Sequence, residues 1–117
     1  MNREDTIKTL ITAWNARDAG ERQRIVSKSL ADDFYYSDAH QNEPLHGKRA
    51  FLDFLNLQHR RMNGVTTALD GAIQCHHSHA HFNVARKEKG QCVARGTYVA
   101  DFTEGGRVQR LVGFDGV

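Results

Sequence analysis

This 117-residue chain is short of proline, with Pro44 alone, and of cysteine, with Cys75 and Cys92 alone. Two thiols cannot build a disulfide framework, and without a C-x-x-C pair the usual thiol-redox and zinc-knuckle signatures are missing. Both cysteines are therefore read as reduced and packed. No apolar run approaches the roughly 20 residues needed to cross a bilayer as a helix. The first ten residues are polar and mixed in charge rather than basic then apolar, so no secretory signal is expected and the cytoplasm follows by default. An excess of one charge is lacking too: 16 Lys and Arg stand against 14 Asp and Glu, a net +2 with His neutral. That is too little to steer the molecule onto nucleic acid or an anionic membrane, so neither is an expected partner. There is no internal repeat, low-complexity stretch or linker. With 39% hydrophobic residues, 26% charged and six Phe, residues 1–117 are expected to form one globular domain whose core needs no staples.

Ile7, Leu10, Ile11 and Trp14 recur at helical spacing behind Asn2, a candidate N-cap with Asp5 three residues on. Asp18 and Glu21 repeat that cap spacing ahead of Ile25, Val26 and Leu30, predicting a second helix over 19–29. Phe34, Tyr35 and Tyr36 favour a strand over 33–38, ended by the polar stretch around Asn42, Pro44 and Gly47. A third helix over 48–62 carries Phe51, Phe54, Leu55 and Gln58 on one face, with Asn63 and Gly64 as its stop. From Val65 onward the pattern alternates, and breaks at Ser78, at 87–90 and at 103–106 predict a meander of four antiparallel strands. In the third of these, Cys92, Ala94, Gly96, Tyr98, Ala100 and Phe102 share one face, small and apolar with one phenol, as suits a concave surface. Val93 and Val99 lie on the opposite face and predict a homodimer through the outer side of the sheet.

Helices first, then a strand, a helix and a curved meander make an α+β arrangement in which a mixed or antiparallel sheet wraps around about three helices. Several segments sharpen that outline: Trp14-Asn15-Ala16-Arg17-Asp18, Ala31-Asp32-Asp33-Phe34, Tyr36-Ser37-Asp38-Ala39-His40, His46-Gly47, and Gly105-Gly106-Arg107-Val108 with Gly113-Phe114. In order and spacing the chain resembles the nuclear transport factor two-like (NTF2-like) superfamily, in its SnoaL-like and ketosteroid-isomerase-like branch. The resemblance implies a cone of curved sheet closed by helices around a pocket, usually dimeric through the outer sheet face and working without a cofactor. It also implies that Asp38 matches an aspartate that shuttles a proton on a carbonyl compound, assisted in that family by a tyrosine of the first helix and a protonated acid. Here Ala39 replaces the proline of the motif, the first helix has no tyrosine, and the second acid has no match.

Each candidate residue carries two readings. Asp38 shares a strand face with Phe34 and Tyr36 and so points inward, or else it caps the turn before Pro44. His40 exchanges a proton with Asp38, or is a solvated loop residue. Tyr98 is a pocket hydrogen-bond donor or a core tyrosine, and Trp14 is a pocket wall or the bulky anchor of its helix. With Trp14, the residues Phe34, Tyr36, Phe54, Phe82 and Phe102 are the expected ligand-pocket lining. His76, His77, His79 and His81 look like a metal site, but strand residues two apart lie about 6.6 Å from each other and four apart about 13 Å, so one strand supplies two ligands at most. Ala80, Phe82 and Val84 form the apolar face, which puts His79 and His81 outside, and no metal is expected. Arg60, Arg61, Arg86, Lys87 and Lys89 read as solvated charges at a helix end and a hairpin tip. Two functions remain: a cofactor-independent isomerase, cyclase or hydrolase of a small hydrophobic molecule using Asp38, His40 and Tyr98, or a non-enzymatic ligand-binding or dimerisation module on the same scaffold.

Overall fold

A computed structural model of the chain describes residues 2–116. Helix α1 (Arg3–Asn15) starts where the Asn2 side chain accepts the Asp5 backbone N–H at 2.8 Å, and α2 (Ala19–Ser29) starts where Asp18 accepts that of Glu21 at 3.0 Å. Both acid-bearing first turns therefore form as the cap spacing predicts. The third helix, α3 (Gly47–Arg61), buries Phe51, Leu52 and Leu55 and ends ahead of Gly64, whose φ of +89° is a left-handed conformation that suits glycine. No helix of the described residues is long and apolar enough to cross a membrane.

Among the described residues seven strands complete the fold: β1 (Leu30–Ser37), β2 (Leu45–His46), β3 (Val65–Leu69), β4 (Gln74–His76), β5 (His79–Glu88), β6 (Gln91–Phe102) and β7 (Val108–Asp115). They form one sheet in the order β2-β1-β7-β6-β5-β3, with β4 also paired to β5. Among the described residues only the β1–β7 pair is parallel, so the sheet is mixed. Register shifts in β5–β6 and β6–β7 mark bulges, which bend strands and increase their twist. The sheet curves over the helices, and the core of Ile7, Leu10, Leu30, Phe34, Tyr36, Phe51, Phe82, Ala100 and Leu111 lies between them. This is the α+β arrangement with three helices that the periodicity implied, in the cone form that the resemblance implied.

Four expectations need correction. The stretch after Gly64 makes five strands, not four: the first of them breaks at Asp70–Ile73, where Gly71 has φ +93° and the Asp70 N–H turns to the Asn83 carbonyl at 2.8 Å. One long partner, β5, is thereby flanked by two short strands on the same edge. The polar stretch after β1 does not merely end it, since Leu45 and His46 return to pair antiparallel with Tyr36 and Tyr35. Cys75 and Cys92 are free but exposed rather than packed. Finally, the small-residue face of β6 is interior only from Tyr98 to Phe102; Cys92 and Ala94 are exposed, because that end of the hairpin runs past the helices.

Candidate functional site

Tyr98 is held by its two neighbours across the sheet. Its register partners are Phe82 on β5 and Gly113 on β7. The Phe82 ring stacks on it, with centroids 5.5 Å apart and planes at 22°. On the other side the ring lies directly over Gly113, where an added Cβ would sit 2.6 Å from Cε1. Only a residue without a side chain leaves room for the ring to lean toward β1. There its hydroxyl lies 3.3 Å from that of Tyr36.

Tyr36 is fully buried and its hydroxyl donates a short hydrogen bond to Asp38 Oδ2. A phenol has one proton to give, so with the Tyr36 proton on the carboxylate, Tyr98 is the donor to Tyr36. The result is a polarised chain from Tyr98 through Tyr36 to Asp38. Its Tyr98 link is long for an O–H···O bond, and is therefore the one most easily redirected to another oxygen. Burial is the largest influence on both phenols and pushes both above the ordinary tyrosine value of 10.0; the Tyr98 and Asp38 neighbours raise Tyr36 further. For Tyr98 the Arg86 cation works in the opposite direction without cancelling the burial effect. Both phenols remain protonated hydrogen-bond donors at neutral pH.

Asp38 follows immediately after β1, and it realises both of its readings at once. Its Oδ1 accepts the His40 backbone N–H at 2.8 Å, closing the turn, while Oδ2 faces inward to Tyr36. The His40 ring does not meet the carboxylate: its Nε2 lies 2.9 Å from Asp115 Oδ1, and both side chains are exposed. The expected proton partnership of His40 with Asp38 is thus replaced by a backbone contact, because the turn directs the imidazole toward the end of β7.

Two cavities open at the same end of the cone. The smaller, about 60 Å³, is lined by Asp38, His40 and Tyr98 together with Val84, Arg86, Gly113 and neighbouring residues of β6 and β7. Asp38 and Tyr98 therefore converge on one space, sized for a few atoms of a ligand. The larger, about 340 Å³, lies between the C-terminal ends of α1 and α3 and the start of β3, with Trp14, Leu55, His59, Met62 and Thr67 in its wall. Asn15 fixes that wall, donating to the Thr67 carbonyl at 2.7 Å and accepting the Thr67 N–H at 2.8 Å. Arg86 lines both cavities.

Of the expected aromatic lining, Trp14 alone borders a cavity. Phe34, Tyr36, Phe82 and Phe102 are buried core, and Phe54 packs against that core. Their rings fill the cone instead of framing a hole: Phe51 is within 5.1 Å of Phe34 and 5.0 Å of Tyr36, and Tyr36 is 5.3 Å from Phe54. Phe102 lies toward the opposite end, under the Arg3 guanidinium. The histidine run is exposed, His79 Nδ1 lies 2.5 Å from Asp101 Oδ1, and the described residues contain no group of three ligands placed to hold a metal ion.

Arg86 and Gly113 escaped the sequence reading as site residues. Extending the inward alternation of Ala80, Phe82 and Val84 by two positions reaches Arg86, so its signal was present. Gly113 gave no such signal, because its role depends on the ring of a different strand.

No protein-family model matches the chain, and no curated protein matches it. Solved structures do. A proposed isomerase of the SnoaL-like family from Agrobacterium tumefaciens superposes with a TM-score of 0.92 at 24% identity, covering 100% of both chains. A proposed ketosteroid isomerase from Kribbella flavida gives 0.74 at 16% identity, over 98% of this chain and 78% of that one. An NTF2 protein with a long sheet gives 0.67 at 11% identity, over 93% and 96%. What these similarities share is backbone architecture, and on that ground the chain has the NTF2-like cone fold.

Proposed function

We propose that this protein is a cofactor-independent acid–base isomerase of a small hydrophobic carbonyl compound, acting in the cytoplasm. Asp38 takes a proton from the carbon beside the carbonyl, Tyr98 donates a hydrogen bond to the oxygen on which charge gathers, and the proton returns to a different carbon. Tyr36 is a positioning residue that orients the carboxylate. The observation that carries this reading is the Tyr98–Tyr36–Asp38 chain, whose two ends line one cavity. The reacting end of the substrate enters the 60 Å³ space and its remainder lies in the 340 Å³ cavity beyond Arg86. The two neighbours named as isomerases make the reaction class a natural one to test.

The test is proton exchange. Incubating the protein in D₂O with a panel of cyclic enones should wash deuterium into the acidic carbon position, read by NMR. Asp38→Asn keeps the shape of the side chain and should slow exchange about 100-fold or more with the circular dichroism spectrum unchanged. Unchanged exchange in that variant would remove Asp38 from the mechanism.

A non-enzymatic binding module is the second reading, favoured by the absence of Asp38 and Tyr98 from the lining of the larger cavity. Under it, Asp38→Asn would retain ligand affinity and no enone would exchange. In either case the working unit is a homodimer through the outer sheet face, where Val93, Val99 and Phe114 are 55%, 38% and 58% exposed.

A further inference from the structure

Arg86 is a half-buried cation with no carboxylate within ion-pair distance among the described residues. The other basic residues near the mouth differ from it. Arg95 is tied to Asp70 at 2.6 Å, and Arg17 is exposed. The group its charge acts on is the neutral Tyr98 hydroxyl, whose pKa it lowers. Withdrawing a guanidinium from water without a counter-charge costs free energy, which a bound anion would recover. The larger cavity that Arg86 borders is suited to supply one. Its charged or titratable lining is Arg17, His59 and Arg86, with no Asp or Glu, and its apolar wall is Trp14, Leu55, Met62 and Val65.

We propose that the ligand of this cavity is a small organic acid, its carboxylate held by Arg86 and its apolar body against Trp14, Leu55 and Met62. The guanidinium fork matches a carboxylate in two parallel hydrogen bonds, and an apolar body of aryl or alicyclic type fits a wall with one aromatic and three aliphatic members. The inference rests on reading the cone mouth as the ligand site and goes beyond it in fixing the charge of the ligand. It also places the anionic group next to Tyr98, since Arg86 lines both cavities, so the reacting carbon lies a short distance from the carboxylate.

Trp14 is the sole tryptophan of the chain and part of the cavity wall, so its fluorescence reports occupancy. A panel of aryl and cyclic carboxylates, cinnamate among them, is titrated beside the matching primary amides. The acids should bind at least about tenfold more tightly than their amides, the size expected of a charge-assisted hydrogen-bonded pair. Arg86→Gln should bring the acids down to the level of the amides, and Arg86→Lys, which keeps charge without the fork, should retain part of the preference. Added salt should weaken the acids more than the amides. Equal affinity of acids and amides, an undiminished preference in Arg86→Gln, or no binding by any acid would overturn the proposal. Amides binding as well as acids would leave the cone mouth standing as a ligand site, and exchange in D₂O tests the Asp38 chemistry separately.

Discussion

Replacing Gly113 by alanine tests the geometry that places Tyr98. The new Cβ would stand 2.6 Å from Tyr98 Cε1, 3.1 Å from Cδ1 and 3.2 Å from Cζ, so the ring must retreat by about 1 Å to reach ordinary contact. The ring has little room, because Phe82 stacks on it and Tyr98 is only 5% exposed. Overpacking of this kind costs about 1–3 kcal/mol, while alanine at a backbone without positive φ returns about 0.4–1 kcal/mol by restricting the unfolded chain. The net expectation is a loss of about 1–2 kcal/mol, or roughly 4–8 °C in Tm for a chain of this length. Urea unfolding measures it. A double-mutant cycle isolates the cause: in a Tyr98→Val background the clash is gone, and Gly113→Ala should become neutral or stabilising. The variant should also lengthen the Tyr98–Tyr36 contact, so that proton exchange on enones falls even where the fold persists. Equal costs of Gly113→Ala in both backgrounds would refute the argument that this glycine exists to admit the ring.

The raised phenol values of Tyr36 and Tyr98 set a pH dependence whose direction follows from the folded state keeping protons that the unfolded chain releases. Full stability is present below about pH 10 and falls above it by about 1.4 kcal/mol per pH unit for each retained proton, and urea melts across that range should show Tyr36→Phe with the shallower slope. Arg22, 5% exposed, donates from Nε to Asn56 Oδ1 at 2.8 Å and from Nη1 to the Ala16 carbonyl at 2.6 Å, so it joins α2 to α3 and to the end of α1. Arg22→Met should cost about 2–4 kcal/mol in denaturant unfolding by leaving both acceptors unpaired, and a loss below about 0.5 kcal/mol would show that water replaces the guanidinium. Sedimentation at micromolar concentration should find a dimer that Val99→Lys or Phe114→Asp converts to monomer, whereas a monomeric parent protein would refute an interface on the outer sheet face.

Local patterns in the chain were enough to determine its three helices, the first strand and the alternating run that follows Gly64. The caps at Asn2 and Asp18, the apolar stripes of three helices and the alternation after Gly64 are short-range signals, written within a few residues of where they act. The inward direction of Asp38 and Tyr98 was legible for the same reason, since alternation along one strand fixes which face a side chain takes. Tertiary structure decided what those side chains meet. The break at Gly71 became two strands because β5 offered one long edge to both, and the aromatic rings expected around a ligand closed on one another as core because Phe51 of α3 reaches Phe34 and Tyr36 of β1. His40 turned to Asp115, 75 residues on, and Arg86 entered the mouth between two cavities that no single segment lines. Gly113 acquired its role from a ring 15 positions earlier in the chain. Alternation and capping are properties of a segment, but a cavity is the space left between segments, and its shape and charge exist only once they have packed.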